Sequence, residues 1–382
     1  MRNGQNVLVY APRRYGKSSL ILRAAQEALR RKALVGYCDL MKTPTKERFA
    51  AALAKTIYAD IASPAGQAFE RAAELFRSLR VRPTMEVDPS DGSLHFSFQT
   101  GRRKSDIDET IERLLELLGE LAAERKRPVV MVFDEFQEIV SLDSKFPNLM
   151  RAVFQTQPEV SHVYLGSKRH ILERIFNDKN EPFWRSAKQL EIGMIPPAKF
   201  GPFVRDRFTA WGKGITVEAL GQLLAISGGH PYGTQELAYF VWELLPPGGE
   251  ASLADLQEAV ARVLRSERNH FSQLWEEAPH AQRLLMLALA DEPTSSIYAA
   301  AYHERHELPA NPTLQTALAG LIRKEIAGRD ADGDYWVIEP FLAEWLLHEQ
   351  RDYAMSDLTR SESVSAPTSR SGRGQRRTSR GS

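Results

Sequence analysis

Asn6 to Leu20 reads NVLVYAPRRYGKSSL, and the rest of the chain is arranged around it. Val7 to Tyr10 is a short apolar run suited to a buried strand. The loop after it closes on Gly16-Lys17-Ser18, and Leu20, Ile21, Ala24, Ala25, Ala28 and Leu29 then recur at helical spacing up to the basic end Arg30, Arg31, Lys32. Strand, loop and helix in that order make a phosphate-binding loop. Backbone N–H groups at the helix start point at phosphate oxygens, and the helix dipole adds partial positive charge. Lys17 brings a full charge to the β- and γ-phosphates, and the Ser18 hydroxyl is suited to ligate Mg²⁺. Ala11, Pro12, Arg13, Arg14, Tyr15, Gly16, Lys17, Ser18 and Ser19 are therefore the candidate nucleotide-binding residues. The usual pattern opens on glycine, and here Ala11 stands in its place. Gly16, where the backbone must come nearest the phosphates, is kept.

The next informative stretch, Arg127 to Phe136, reads RPVVMVFDEF. Val129 to Phe133 is continuously apolar, as expected of a central strand covered by helices on both faces. Asp134 and Glu135 stand at its carboxyl end, where ligands gather in an open α/β sheet. Asp134 is the candidate Mg²⁺ ligand with Ser18, and Glu135 the candidate base that orients and deprotonates the attacking water. His162 to Gly166 is a further apolar run ending at Ser167. That serine is placed to hydrogen-bond the attacking water or the γ-phosphate, and equally to cap the helix Lys168 to Phe176.

Around these two stretches the chain alternates strand and helix. Ala33 to Asp39 and Ala187 to Ile192 read as two more strands, the latter closed by Pro196-Pro197. Together they give an α/β fold with a five-stranded parallel sheet. Thr45 to Leu79 is helical with a break at Ser63-Pro64-Ala65-Gly66. Val81 to Thr100, punctuated by Pro83, Pro89 and Asp91-Gly92, reads as a small hairpin-like insertion. Ser105 with Asp108 resembles a capping box for the next helix. Lys199 to about Phe271 reads as all helical, interrupted at Ser227-Gly228-Gly229-His230-Pro231-Tyr232. Gly-Gly allows a sharp turn there, and Pro231 suits a first helical turn.

Pro279 to Glu349 reads as helices at Ala281 to Ala290, near Ser296 to His303, and at Thr313 to Lys324, then a hairpin turning at Asp332-Gly333-Asp334. Three helices and a β-wing make a winged helix. Arg323 and Lys324 would lie near phosphates if it read DNA, although the third helix is poor in base-reading side chains. Protein contact or internal regulation is an equal alternative. The last 30 or so residues, rich in Ser, Gly and Arg, are expected to be disordered, either solvated or touching nucleic acid. The expected domains are residues 1–195, a P-loop domain; 196–275, a helical lid; 276–350, a winged helix; and 351–382, a basic tail.

With 382 residues, 43% apolar and 26% charged, the composition is that of an ordinary globular protein with two or three domains. A net charge of +1 leaves no global attraction for nucleic acid, so such binding needs a local patch. One cysteine, Cys38, excludes a disulfide framework, reads as an inert core residue and fits a cytoplasmic setting. Neither a secretory signal nor a run long enough to span a membrane stands out.

The chain resembles the archaeal-type ATPases of the AAA+/STAND P-loop group. APRRYGKSS at Ala11 to Ser19, VVMVFDEF at Val129 to Phe136, YLGS at Tyr164 to Ser167 and GGHPY at Gly228 to Tyr232 carry the resemblance, which covers about Asn3 to Glu349. It implies an ATPase using ATP and Mg²⁺, with Ser167 as the first sensor and His230 and Pro231 near the base or ribose. It also implies an arginine beside the γ-phosphate, here Arg185, within the chain or from a neighbouring subunit. The family has glycine where this chain has Trp184. It also has an N-terminal segment against the adenine, whereas this chain enters its first strand within a few residues, implying truncation or a looser hold on the base. The readings that follow are an ATPase driving its winged helix, a nucleotide-gated switch, and a DNA-binding regulator. The partners are ATP or ADP, an unidentified protein or a second copy, and possible DNA, with no membrane.

Overall fold

The apolar runs in Val129–Asp134 and Val160–Gly166 form strands whose side chains alternate between two covered faces of one sheet. In the computed structural model, residues 5–62, 76, 77, 79, 81–88, 90, 94–98, 104–329 and 333–350 are described. Strands β1 (Val7–Tyr10) and β2 (Leu34–Asp39) come first, and β3 (Thr84–Val87) pairs antiparallel with β4 (Leu94–Ser97) as the hairpin expected in that stretch. Then come β5 (Val129–Asp134), β6 (Val160–Gly166) and β7 (Lys188–Glu191). The five parallel strands lie in the order β2-β5-β6-β1-β7. β5 is buried at every position, and β7, at the edge, at none.

One face carries the larger core. Leu8, Leu34, Cys38, Met131, Phe133 and Tyr164 point into it, against the helices Lys46–Thr56, Lys104–Arg125, Phe146–Phe154 and Arg169–Asn177. Phe96 and Phe98 of the hairpin segment are buried there too. On the other face Val9, Val130, Val132, Val163 and Leu165 meet Ile21 of the helix Lys17–Arg30. Cys38 is buried, and burial together with Asp39 pushes its thiol up to about 12. No helix among the described residues is long and apolar enough to cross a membrane.

The chain packs as two units, residues 1–200 with 229–235, and residues 201–228 with the chain from 236 onward. In the second unit the helix Leu253–Glu276 opens with a capping box between Ser252 and Asp255. The winged helix follows: helices His280–Asp291, Ala300–His306 and Asn311–Arg323, then β10 (Ala327–Arg329) antiparallel to β11 (Tyr335–Val337). Trp345, fully buried, packs on Phe271 and Trp275 of the long helix.

Several local expectations are corrected. The stretch from Lys199 to Phe271 is not all helical, because β8 (Gly214–Ile215) pairs parallel with β9 (Glu250–Ala251) and ties two connections together. The second winged-helix helix begins at Ala300 rather than Ser296, since Thr294 bridges to Tyr335 and its hydroxyl accepts from the Ser296 N–H, drawing that segment onto the wing. The capping expectation at Ser105 falls on a side chain outside the described residues, and Asp108 pairs with Lys46 at 2.7 Å. The break at 63–66, residues 330–332 of the hairpin turn, and the tail 351–382 lie outside the described residues.

His162 of β6 stacks on Phe154, ring centroids 3.9 Å apart, with Nδ1 3.2 Å from Asn6 Oδ1. Burial, and behind it the charge of Arg151, push its pKa down to about 3. An unfolded histidine titrates near 6.5 on average, about where both states are neutral above and only the unfolded chain gains a proton below. Stability should therefore fall with pH below about 6.5, by up to about 1.4 kcal/mol per pH unit for this one group. His162→Phe, which keeps a ring against Phe154, is expected to remove that share of the slope in urea unfolding between about pH 7 and about pH 4.5. An unchanged slope would contradict the assignment.

Candidate functional site

The loop between β1 and the helix Lys17–Arg30 takes its shape from two left-handed residues, Arg14 (φ 65°) and Gly16 (φ 78°). A Cβ at Gly16 would meet nothing within 4 Å, so glycine serves the backbone angle there rather than crowding within the chain. The helix has no acidic residue in its first turn and no side-chain cap, which suits its N-terminal N–H groups to an anion. The Ala11 N–H reaches the Gly166 carbonyl at 3.4 Å, joining the loop to the end of β6. Lys17 is 6% exposed, and its ammonium donates to the carbonyls of Ala11 (2.8 Å) and Pro12 (2.9 Å).

The sheet order brings the acid pair to this loop. β1 and β6 are neighbours whose connections leave in opposite directions, toward β2 and toward β7, so the crevice at their carboxyl ends is a topological switch point. Asp134 ends β5, next to β6. Ser18 Oγ donates to Asp134 Oδ2 at 3.0 Å, the Tyr37 hydroxyl donates to the same oxygen, and the Glu135 N–H donates to Oδ1 at 2.9 Å. Burial, then the hydrogen bond to Asp134, raise the Tyr37 pKa. Glu135 has a left-handed backbone (φ 52°), turning the chain sharply as it leaves the sheet.

Glu135 Oε2 accepts from Ser167 Oγ at 3.0 Å and from Gln137 Nε2. Ser167 therefore spends its hydroxyl on the acid rather than on capping, and the following helix begins at Arg169 with no side-chain cap. A Cβ at Gly166 would press on the Gln137 amide oxygen and the Leu172 methyls, so glycine lets both side chains close over the end of β6. Arg185, exposed and left-handed at φ 51°, lays its guanidinium over Trp184 and gives its N–H to the Phe176 carbonyl. None of these contacts is with the loop or the acids.

The GGHPY turn returns to the loop within the first unit. The Tyr15 ring, 3% exposed, meets His230 edge-on at 4.7 Å, and the Arg14 guanidinium lies 4.6 Å from the Tyr232 ring centre. His230 Nδ1 accepts from the Gly233 N–H at 3.0 Å, which leaves the ring proton on Nε2. Burial, then Arg14, push its pKa down to about 4. Pro231 starts the helix Pro231–Leu244.

Residues 1–165 match the family model for an AAA ATPase domain, and residues 269–348 that for a probable winged helix domain. Over those first residues the chain is similar to AAA ATPase domains. Among solved structures, a Walker-type ATPase of Pyrococcus abyssi superposes with a TM-score of 0.58 at 17% identity, covering 89% of this chain and 90% of that one. The ORC2 protein of Aeropyrum pernix, in its ADPNP–ADP complexes, gives 0.51 at 12%, covering 94% and 89%. At such identities the likeness is one of fold. A search of curated protein sequences returns no significant match.

Residues 1–165 also offer oxygens that suit Mg²⁺, which takes one or two protein oxygens and leaves the rest of its octahedron to phosphates and water. The Ser18 hydroxyl and the Asp134 carboxylate, 3.0 Å apart beside the loop, fit that donor set. Sequence reading passed over Tyr37 and Gln137. Tyr37 carried a faint signal in its place two residues before Asp39, which is in register with Asp134.

Gly228 and Gly229 are both left-handed, at φ 57° and φ 74°, but only Gly229 is crowded, with its Cβ position against the Ile195 carbonyl. Gly228→Ala is expected to cost about 1 kcal/mol, the backbone penalty alone. Gly229→Ala should cost about 2 kcal/mol or more, since it adds a clash with backbone. Urea midpoints of the two variants test the order, and equal losses would refute it.

Proposed function

We propose that this chain binds Mg²⁺-ATP on the loop Ala11 to Ser19 and hydrolyses it. The observation that carries the reading is the meeting of Ser18 and Asp134 at 3.0 Å, with Glu135, the next residue, held at 3.0 Å by Ser167. Lys17 would leave the Ala11 and Pro12 carbonyls for the β- and γ-phosphates. Ser18 and Asp134 would hold Mg²⁺, which bridges phosphate oxygens and neutralises the charge developing on them. Glu135 would take the proton of the attacking water, with Ser167 and Gln137 orienting its carboxylate. Arg185 is proposed for the γ-phosphate of its own or a second copy, and Pro231 for the base or ribose, with His230 acting through Tyr15.

Lys17→Ala is expected to weaken ATP binding in calorimetry by more than about 100-fold, losing a charge-assisted contact and its phosphate geometry. Glu135→Gln should keep binding while phosphate release falls by about 10²- to 10⁴-fold. Equal turnover by Glu135→Gln and the parent would end the hydrolytic reading.

A nucleotide-gated switch is the second reading, favoured by the contacts of Arg14 and Tyr15 with Tyr232 and His230. Loop movement on nucleotide binding would then be passed to the helical segment 196–275 through its own turn. A partner protein or a second copy would read that movement, in a cytoplasmic setting. DNA is a further candidate for the winged-helix segment 276–350, where Arg323 and Lys324 are exposed at the end of the helix Asn311–Arg323. If that helix docks on DNA, Arg323→Ala with Lys324→Ala should lower the slope of log affinity against log salt by about 1 to 2. No binding by the full chain at low salt would eliminate DNA.

A further inference from the structure

The Asp134 carboxylate is held by more than the loop. β2 and β5 run parallel in register, Tyr37 opposite Val132 and Asp39 opposite Asp134, so Tyr37 and Asp134 share one face of the sheet on adjacent strands, two residues apart diagonally. That diagonal is within reach of a long aromatic side chain. The Tyr37 ring packs along the small core beside Val130 and Val132, which aims its hydroxyl at the carboxyl end of β5. There it donates to Asp134 Oδ2, the oxygen that also accepts from Ser18.

The strand under Tyr37 is pinned. Thr56 Oγ1 donates to the Tyr37 carbonyl at 3.0 Å. At Gly36 a Cβ would lie 2.8 Å from Thr56 Cγ2, 2.9 Å from Ile61 Cδ1 and 3.0 Å from Met131 Sδ, so the helical segment presses directly on this strand. Asp134 is 8% exposed, and a mostly buried carboxylate depends on such donors for its orientation.

We propose that Tyr37 is a positioning residue for the metal-ligating carboxylate of Asp134. The inference rests on the reading of Asp134 and Ser18 as the Mg²⁺ ligands. The Ser18 hydroxyl can give a lone pair to the metal while its proton stays on Oδ2, so Tyr37 acts beside it as a second side-chain donor that fixes the direction of that carboxylate. Loss of a hydrogen bond of this kind behind a metal ligand typically costs about 10- to 100-fold in metal affinity. Tyr37 touches neither phosphate nor water in this scheme, so its effect is confined to binding that depends on the metal.

The test is calorimetric titration of the full chain with ATP, in excess Mg²⁺ and in EDTA, for the parent, Tyr37→Phe, Asp134→Asn and the double variant. Phenylalanine keeps the ring against Val130 and Val132, and a thermal melt in EDTA checks that the fold is retained. In support, Tyr37→Phe would lose about 10-fold or more of the Mg²⁺-dependent gain in ATP affinity, with its affinity in EDTA unchanged. The double variant would be no weaker in Mg²⁺ than Asp134→Asn alone, because the tyrosine acts only through that carboxylate. If Asp134→Asn abolishes the gain while Tyr37→Phe keeps it in full, the role given to Tyr37 is wrong and the nucleotide reading stands. If Tyr37→Phe weakens ATP equally with and without Mg²⁺, its role is structural and the proposal fails. If the parent itself binds no ATP, or Asp134→Asn keeps the whole Mg²⁺ gain, the underlying reading fails with it.

Discussion

The hydrogen bond from Ser18 to Asp134 joins two residues 116 positions apart, and the rest of the site depends on it. It requires that the strand before the loop lie within one strand of the one carrying the acids, and the order β2-β5-β6-β1-β7 provides this. It also requires that both residues project to the same side of the sheet. Ser18 stands in the first turn of the helix covering Val130 and Val132, and Asp134 follows Val132 at the strand period of two. A shift of one residue in the β5 register would turn Asp134 toward the aromatic core and destroy the site.

The two faces of the sheet are built differently. The face holding Phe133, Phe136, Phe154, Tyr164, Phe176 and Phe183 is a dense aromatic packing, with ring centroids as close as 4.4 Å. It gives the sheet a rigid backing, as close-packed interiors do. The opposite face carries a small aliphatic core and one helix, and the polar groups of the site gather at its edge. Polar side chains are tolerated there because each has a partner: Tyr37 and Ser18 on Asp134, Gln137 and Ser167 on Glu135, and Lys17 on loop carbonyls.

Much of this was legible in the sequence because it rests on local patterns. Val7 to Tyr10, Gly16-Lys17-Ser18 and the helical spacing after them state a strand, a loop and a helix with no need of distant residues. The unbroken apolar run before Asp134 likewise states a strand buried on both sides, and Ile326-Ala327 with Tyr335-Trp336-Val337 a hairpin, which pairs as Ala327–Arg329 with Tyr335–Val337. Illegible parts depended on contacts between distant segments. The pairing of Gly214–Ile215 with Glu250–Ala251, and of Thr294 with Tyr335, comes from segments that have no strand pattern of their own and are made extended by a neighbour.

The amino-acid order by itself determined that a Gly-Lys-Ser loop between strand and helix, an acid-ended central strand and a C-terminal winged helix occur in one chain, since backbone preference and side-chain periodicity act over a few residues. Only the tertiary structure decided which donors hold those acids. Tyr37, Gln137 and Ser167 reach Asp134 and Glu135 through strand register and the turn after β5, and His230 reaches Tyr15 through the close approach of Gly229 to Ile195. A hydrogen bond needs two atoms near 3 Å in the right direction, a condition set by how strands are ordered and packed rather than by the identity of either residue.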